Sequence, residues 1–332
     1  MTFDISPFLS FFAFHLCPGP LSWINEGGCI ALSRIRAFFR HDNAGLLFAL
    51  PAVLYMLGFV GYPIVHNIIL GFQDVDVMNF LHGQKHFIGF SNYSALFHDE
   101  VFVKSIVNTF VFTVSCLVFQ FLIGFALALF FNREFSFAKP VRGLLMMPWM
   151  IPMTVTALMF KFMFSTKVGV VNNFLTGFGI LSSNIEWLTD QRIAMVSVII
   201  ANIWIGIPFN MILISTGLTS IPGELYESAS IDGANGVQQF FRITLPLMRS
   251  TIESILVLGF IYTFKVFDLV YVMTSGGPVN ATQLMSTYSY KLSFDNFLYS
   301  KGSAVANALL VILLLVGMLY LKVTSGGEDL YE

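Results

Sequence analysis

Charge is what this sequence has least of. Asp, Glu, Lys and Arg together make up 11% of its 332 residues, where a soluble domain carries about a quarter. Against 56% hydrophobic residues, that leaves too few charged groups to cover a water-facing surface. The length is therefore not read as two soluble domains. A formal net charge of −2 offers no basic field for nucleic acid. Cysteine is sparse too: Cys17, Cys29 and Cys116 stand far apart without a CxxC pair or an even framework, so neither a disulfide scaffold nor a metal site is indicated. The chain has no G-x-x-x-x-G-K-[ST] phosphate loop, no HExxH and no GxSxG. Without paired carboxylates or His ligands within one apolar run, a membrane enzyme has no site to work with. No repeated half and no series of embedded acids speaks for an ion-gradient-driven secondary transporter, which stands as the alternative reading of the chain.

What is present in quantity is long apolar sequence. A membrane span needs about 20 mainly apolar residues, and six segments qualify: Gly45–Gly71, Ser105–Phe131, Val141–Phe164, Ile193–Leu218, Thr251–Thr274 and Gly302–Leu321. The predicted fold is an all-α polytopic membrane helical bundle with six core transmembrane helices. Residues 1–44 form an N-terminal extension, 45–322 the transmembrane domain and 323–332 a cytoplasmic tail. Pro148-Trp149-Met150-Ile151-Pro152 is expected to bend the third span and is read as a packing kink. Cys29–Arg40, with Arg34, Arg36 and Arg40 among apolar neighbours, reads as an interfacial helix. Lys and Arg are denser in the segments that flank an inward N-terminus, above all Arg133, Lys139 and Arg142, so both termini are placed in the cytoplasm.

The longest polar stretch on that inner side is Thr219–Ser250. Ser220 is predicted as the N-cap of a short helix with Pro222 in its first turn, and Glu224 and Glu227 sit near the positive end of its dipole. Gly233 and Gly236 supply break points, and Val237–Arg242 is predicted as a second short helix. Thr244-Leu245-Pro246 ends the segment before the next span. Leu225, Ala229 and Ile231 are expected to pack inward. A helix–turn–helix lying across the membrane face suits docking of another protein, and equally suits a plain amphipathic connector.

Glu227-Ser228-Ala229-Ser230-Ile231-Asp232-Gly233-Ala234, followed by Phe240, Ile243 and Leu245-Pro246, resembles the EAA loop of ABC importer permeases. The one core departure, Ser228 for alanine, is small for small. Phe90-Ser91-Asn92-Tyr93, Asn108-Thr109, Asn132-Arg133, Trp204-Ile205-Gly206-Ile207-Pro208-Phe209 and Thr274-Ser275-Gly276-Gly277-Pro278 are similar to the maltose and glycerol-phosphate subgroup, which takes up carbohydrates. The resemblance runs from about residue 45 to 321.

This resemblance implies a transport subunit of the bacterial inner membrane that is not itself an enzyme and binds no cofactor or metal. It implies a second homologous permease subunit, two ATPase subunits that hold ATP and Mg, an extracytoplasmic solute-binding protein, a sugar-like substrate and surrounding membrane lipid. Glu227, Ala229, Asp232, Gly233, Leu245 and Pro246 would form the coupling joint to an ATPase subunit, with Glu227 able instead to cap its own helix. By similarity to the maltose-type permeases, Asn202, Gly206 and Phe209, on one face of the fourth span, and Gly259, Tyr262 and Thr263, on one face of the fifth, fall where that family lines its sugar path. Small residues and Tyr in these positions also suit ordinary helix packing. Lys265 and Asp268, at i and i+3, are expected to pair as ions, either lining the aqueous path or bridging subunits.

Overall fold

The computed structural model describes residues 44–83, 85–132 and 137–328. The expectations for the N-terminal extension, with its interfacial helix, and for Arg133 fall outside these residues. The chain divides into two compact units, Met1–Val65 and His66–Glu332. In the first, helix α1 (Ala44–Met56) accommodates Pro51 and continues through a π-turn at Leu57–Gly61 into α2 (Tyr62–Gly71). Its large apolar side chains, Phe48, Leu54 and Phe59 among them, are exposed, and Tyr55 stacks on Phe59 with ring centroids 4.7 Å apart.

The second unit is almost wholly helical, apart from two-residue strands β1 (Gln73–Asp74) and β2 (His86–Phe87), which pair antiparallel. Helix α3 (Glu100–Phe131) is the long uncharged run predicted from Ser105, extended outward to a cap. The Asp99 carboxylate accepts from the Val101 amide at 2.9 Å and so satisfies one of the four orphan donors of the first turn. In hydrocarbon every amide must find its partner within the structure, which a continuous helix provides.

The third span differs from its predicted form. It is broken into α4 (Ala138–Leu145), α5 (Met147–Met150) and α6 (Met153–Met163), and the halves Pro140–Met150 and Met153–Met163 meet at 94°. The cause is local: Ile151, forced out of the helical region by the ring of Pro152, is extended at φ −76°, ψ 133°. Proline here does more than kink a helix. It ends one.

Helix α7 (Ala194–Thr219) runs along α3 and keeps Pro208 inside it. Apolar burial gains little where lipid is as apolar as leucine, so close approach through small residues decides this contact. Gly124 is such a point, because a Cβ there would lie 2.8 Å from Asn210 Cβ. Beyond α7 come two short helices, α8 (Gly223–Ile231) and α9 (Gly236–Gln239), the second prolonged by a π-turn and one further helical turn to Leu247. Leu245-Pro246 thus lies in the last turn of the segment before the next span, as expected. Gly236–Leu247 joins α10 (Arg249–Phe264) through a 68° bend.

The fifth span is broken as well. It stops at Phe264 and resumes as α11 (Asp268–Thr274). No Gly or Pro signals this break. The Val266 carbonyl it frees accepts from Ser286 Oγ at 2.5 Å, a partner far along the chain. Helix α11 packs on α6, where Lys161 Nζ donates to the Val272 carbonyl at 2.9 Å. Helices α12 (Met285–Tyr290) and α13 (Tyr299–Glu328) complete the unit.

Among the described residues, Phe48–Gly71, Glu100–Phe131, Ala194–Thr219 and Tyr299–Lys322 are each long and apolar enough to cross a membrane, and the two bent pairs qualify only when joined. Against the six spans expected, the described residues hold four candidate spans, or up to six if each bent pair counts as one. Buried residues form three clusters, around Phe102 and Met285, around Phe160 and Leu269, and around Met211 and Met248.

Outside the spans, Asn172 is 1% exposed and holds the Thr166–Trp187 loop together. Its side chain donates to the carbonyls of Thr166 (3.2 Å) and Ile185 (2.9 Å) and accepts from the Ile185 amide (3.2 Å) and Trp187 Nε1 (2.9 Å). Asn172→Leu orphans these groups, so we expect a stability loss of about 2–4 kcal/mol. It would be read as a lower melting midpoint and new protease cleavage within residues 166–187; an unchanged melt would show that solvent replaces the amide. Elsewhere the Tyr288 hydroxyl donates to the Asp99 carboxylate in a short contact. Burial first, then that carboxylate, push the Tyr288 phenol above its usual range and keep it protonated.

Candidate functional site

The breaks in the third and fifth spans open a cavity of about 480 Å³ at the level where α5, α7 and α10 meet. It lies in the range of small-ligand sites. Asn202, Gly206 and Phe209 from α7, Gly259, Tyr262 and Thr263 from α10, and Lys265 and Asp268 from the break and the start of α11 all line it. Lining residues not predicted from the sequence join them, Gln120, Trp149 and Asn210 among them.

One wall is aromatic. Trp149 stacks on Phe209 with centroids 5.9 Å apart and planes at 20°, and Phe209 meets Tyr262 edge-on at 6.1 Å. Trp149 reaches this place because the chain turns sharply just after it, so the Pro-Trp-Met-Ile-Pro segment delivers a ring to the cavity as well as a bend. The lining also carries amides. Gln120 Nε2 donates to the Asn202 carbonyl at 2.8 Å. It fits only because residue 206 is glycine, since a Cβ there would lie 2.3 Å from the Gln120 amide. Asn210 is 2% exposed. Its Nδ2 donates to the Gly206 carbonyl at 2.9 Å, while its Oδ1 is buried without a partner. An acceptor left so costs about 1–3 kcal/mol. Asn210 lies one turn beyond Gly206 on the same helix face, and that spacing was the signal available for it.

The expected ion pair between Lys265 and Asp268 is not formed. The helix that would have placed them one turn apart ends between them. Lys265 Nζ instead lies 5.2 Å over the Tyr262 ring, a cation–π contact. Asp268 stands exposed in the first turn of α11. The ion pair found among the described residues is Arg249–Glu253 at 2.9 Å, near the polar 219–250 segment. Both signs of charge therefore face the cavity unneutralised by one another.

The 219–250 segment is a compact knob. Ser220 does not cap α8 as predicted; its hydroxyl turns back to the Gly217 carbonyl at 2.7 Å, closing α7, and Pro222 takes the cap position in extended conformation. Asn235 and Gln238 form a reciprocal capping box at 2.9 Å each way. The two short helices are tied by Tyr226 Oη to Thr244 Oγ1 at 2.8 Å and by Gln239 Nε2 to Ser230 Oγ at 2.9 Å. Phe240 packs edge-on against Phe125 of α3, centroids 5.6 Å apart, which anchors the knob to a span.

Inward packing was expected of Leu225, Ala229 and Ile231. Instead Ile231 is 87% exposed, Leu225 is exposed and Ala229 half-covered, because a knob this thin has no interior on that side. Glu227, Asp232, Leu245 and Pro246 are also exposed, and Glu227 makes no hydrogen bond or ion pair among the described residues, so it does not cap its helix. Gly233 turns the chain at φ +81° with open space on all sides.

Residues 120–323 match the family model described as "Binding-protein-dependent transport system inner membrane component". Over 84% of this chain and 89% of the relative, the sequence is 31% identical to the sulfoquinovosyl glycerol transport system permease protein SmoG of Agrobacterium fabrum. It is 30% identical to the trehalose/maltose transport system permease protein MalF of Thermococcus litoralis, covering 88% of this chain and 97% of that one. The fold is similar to a chain of a bacterial alginate ABC transporter solved in complex with an alginate pentasaccharide-bound periplasmic protein. That likeness has a TM-score of 0.74 and 27% identity and covers 86% of this chain and 96% of the other.

Proposed function

Since the chain belongs to the family of binding-protein-dependent transport system inner membrane components, we propose that it is a permease subunit of an ATP-driven importer and that its central cavity is the path of a saccharide. The observation that carries this reading is the composition of that cavity: the rings of Trp149, Phe209 and Tyr262 line it together with the amides of Gln120, Asn202 and Asn210. A sugar ring has apolar C–H faces for the rings and hydroxyls for the amides. The relatives named for trehalose, maltose and sulfoquinovosyl glycerol, and the alginate transporter, support a carbohydrate class for this chain.

The exposed 219–250 knob supplies the coupling. Glu227, Ala229, Asp232, Gly233, Leu245 and Pro246 present charge and apolar surface to a separate ATPase subunit, on which ATP and Mg are held. The chain is a transport subunit and leaves hydrolysis to that partner. A second permease subunit closes the other side of the path, and a solute-binding protein delivers from the face opposite the knob, which puts the knob and both termini in the cytoplasm of a multi-pass inner-membrane protein. Closure of the ATPase pair would rock the spans as rigid bodies between two openings.

In sealed vesicles holding the whole complex, saccharide uptake is expected to require ATP, to stop with vanadate and to persist with a protonophore. Uptake that survives vanadate and collapses with the protonophore would replace this mechanism by the ion-gradient alternative.

A further inference from the structure

Phe267 stands at the edge of the cavity. That ring lines it and is also the first of an unbroken aromatic series leading away from the knob. Phe267 stacks on Tyr271 with centroids 5.0 Å apart and lies tilted to Tyr290 at 5.0 Å; Tyr271 and Tyr290 meet edge-on at 4.8 Å; Tyr290 lies tilted to Phe294 at 4.9 Å. Phe267, Tyr271 and Tyr290 are half-buried, and Phe294 is 59% exposed. The series owes its shape to two features: the helix break at Lys265–Phe267, which swings Phe267 to the cavity edge, and the π-turn Lys291–Asp295, which sets Phe294 beside Tyr290.

We propose that these four rings are an additional sugar-binding strip, taking the units of an oligosaccharide that extend beyond the cavity on the side opposite the knob. The inference rests on the saccharide reading of the cavity and adds to it a preference for chains over single sugars. Two considerations favour a sugar occupant. The strip is continuous with the cavity through a shared ring, and two of its members bring hydroxyls to the edge of the stacking faces, which suits a ligand that is apolar on one side and hydroxylated at its rim. A lipid-facing aromatic belt is the competing occupant.

The test uses the full complex with its binding protein, reconstituted in vesicles, and labelled malto-, cello- and chito-oligosaccharides of one to six units as probes. The double variant Tyr290→Leu/Phe294→Leu keeps apolar bulk and removes two rings. Uptake of trisaccharides and longer is expected to fall about tenfold, from the loss of two stacking faces, while the shortest carried sugar moves at nearly the wild-type rate. Tyr290→Phe, which keeps its ring, is expected to retain most long-chain uptake. Losses equal at every chain length, or none at any, would return the four rings to a packing or lipid-facing role and leave the cavity reading intact. A wild-type complex that carries none of the three series at any length would overturn the cavity reading and the strip with it.

Discussion

Gly233→Arg is expected to bring ATP-dependent uptake to background while the chain itself still inserts and folds. The reasoning starts from the backbone. At φ +81° a residue with a Cβ is strained by roughly 1–2 kcal/mol, enough to distort one turn and too little to unfold a bundle of spans. Inside the chain nothing lies within 4 Å of where that Cβ would stand. Any further loss must then arise where the side chain meets a partner. Gly233→Asn separates the two effects, because Asn tolerates the left-handed region while still adding a side chain. If partner contact is the larger effect, Gly233→Asn and Gly233→Arg both impair coupling, the Arg variant more; if strain is, Gly233→Asn transports nearly normally and Gly233→Val does not. The measurement is uptake alongside ATPase activity of the purified complex. An Arg variant that assembles and transports at the wild-type rate would remove the 219–250 knob from the mechanism.

That segment also shows how far the sequence could be read. The helix–turn–helix, its Gly233 turn and its exposed Glu227 follow from residue types and spacing alone. The inward packing of Ile231 does not, because a thin knob offers nothing to pack against until another chain arrives, and an apolar residue awaiting a partner looks the same in sequence as one awaiting a core. The spans divide along similar lines. Uncharged runs such as Ser105–Phe131 and Ile193–Leu218 are legible because hydrocarbon imposes one solution on the backbone. Pro152 carried the signal for the break in the third span, though not its 94° size. The break after Phe264 had no local signal at all, since the group that makes it tolerable is Ser286, far along the chain. For that reason Lys265 and Asp268 were expected to pair on one helix and instead face the cavity separately. The helix periodicity that put Asn202, Gly206 and Phe209 on one face needed no tertiary knowledge; finding Gln120 opposite them required knowing that α3 and α7 pack at Gly206.

Phe209→Ala is the sharpest probe of the cavity, because Phe209 is the middle ring of its wall. It stacks on Trp149 and meets Tyr262 edge-on, so its removal leaves two rings that no longer form one surface. Each aromatic contact of this sort is worth about 0.5–1.5 kcal/mol beyond its buried area, which places the expected fall in uptake at roughly ten- to a hundredfold. Phe209→Tyr keeps the ring and is expected to stay within about threefold of wild type. Two readouts distinguish a path residue from a structural one. Under the proposed mechanism, stimulation of the partner ATPase by loaded binding protein depends on the outer face and on the knob, so it should survive Phe209→Ala even as sugar ceases to cross. A residue that merely supports helix packing would lose both together. Because Asn210 lines the same cavity, Asn210→Leu should impose a second, independent loss, and combining it with Phe209→Ala tests whether rings and amide hold one ligand. Losses that add in free energy mean that rings and amide grip different parts of the sugar; losses that fail to add mean that removing either already lets it go. Uptake unchanged in both single variants would place the sugar path elsewhere in the complex.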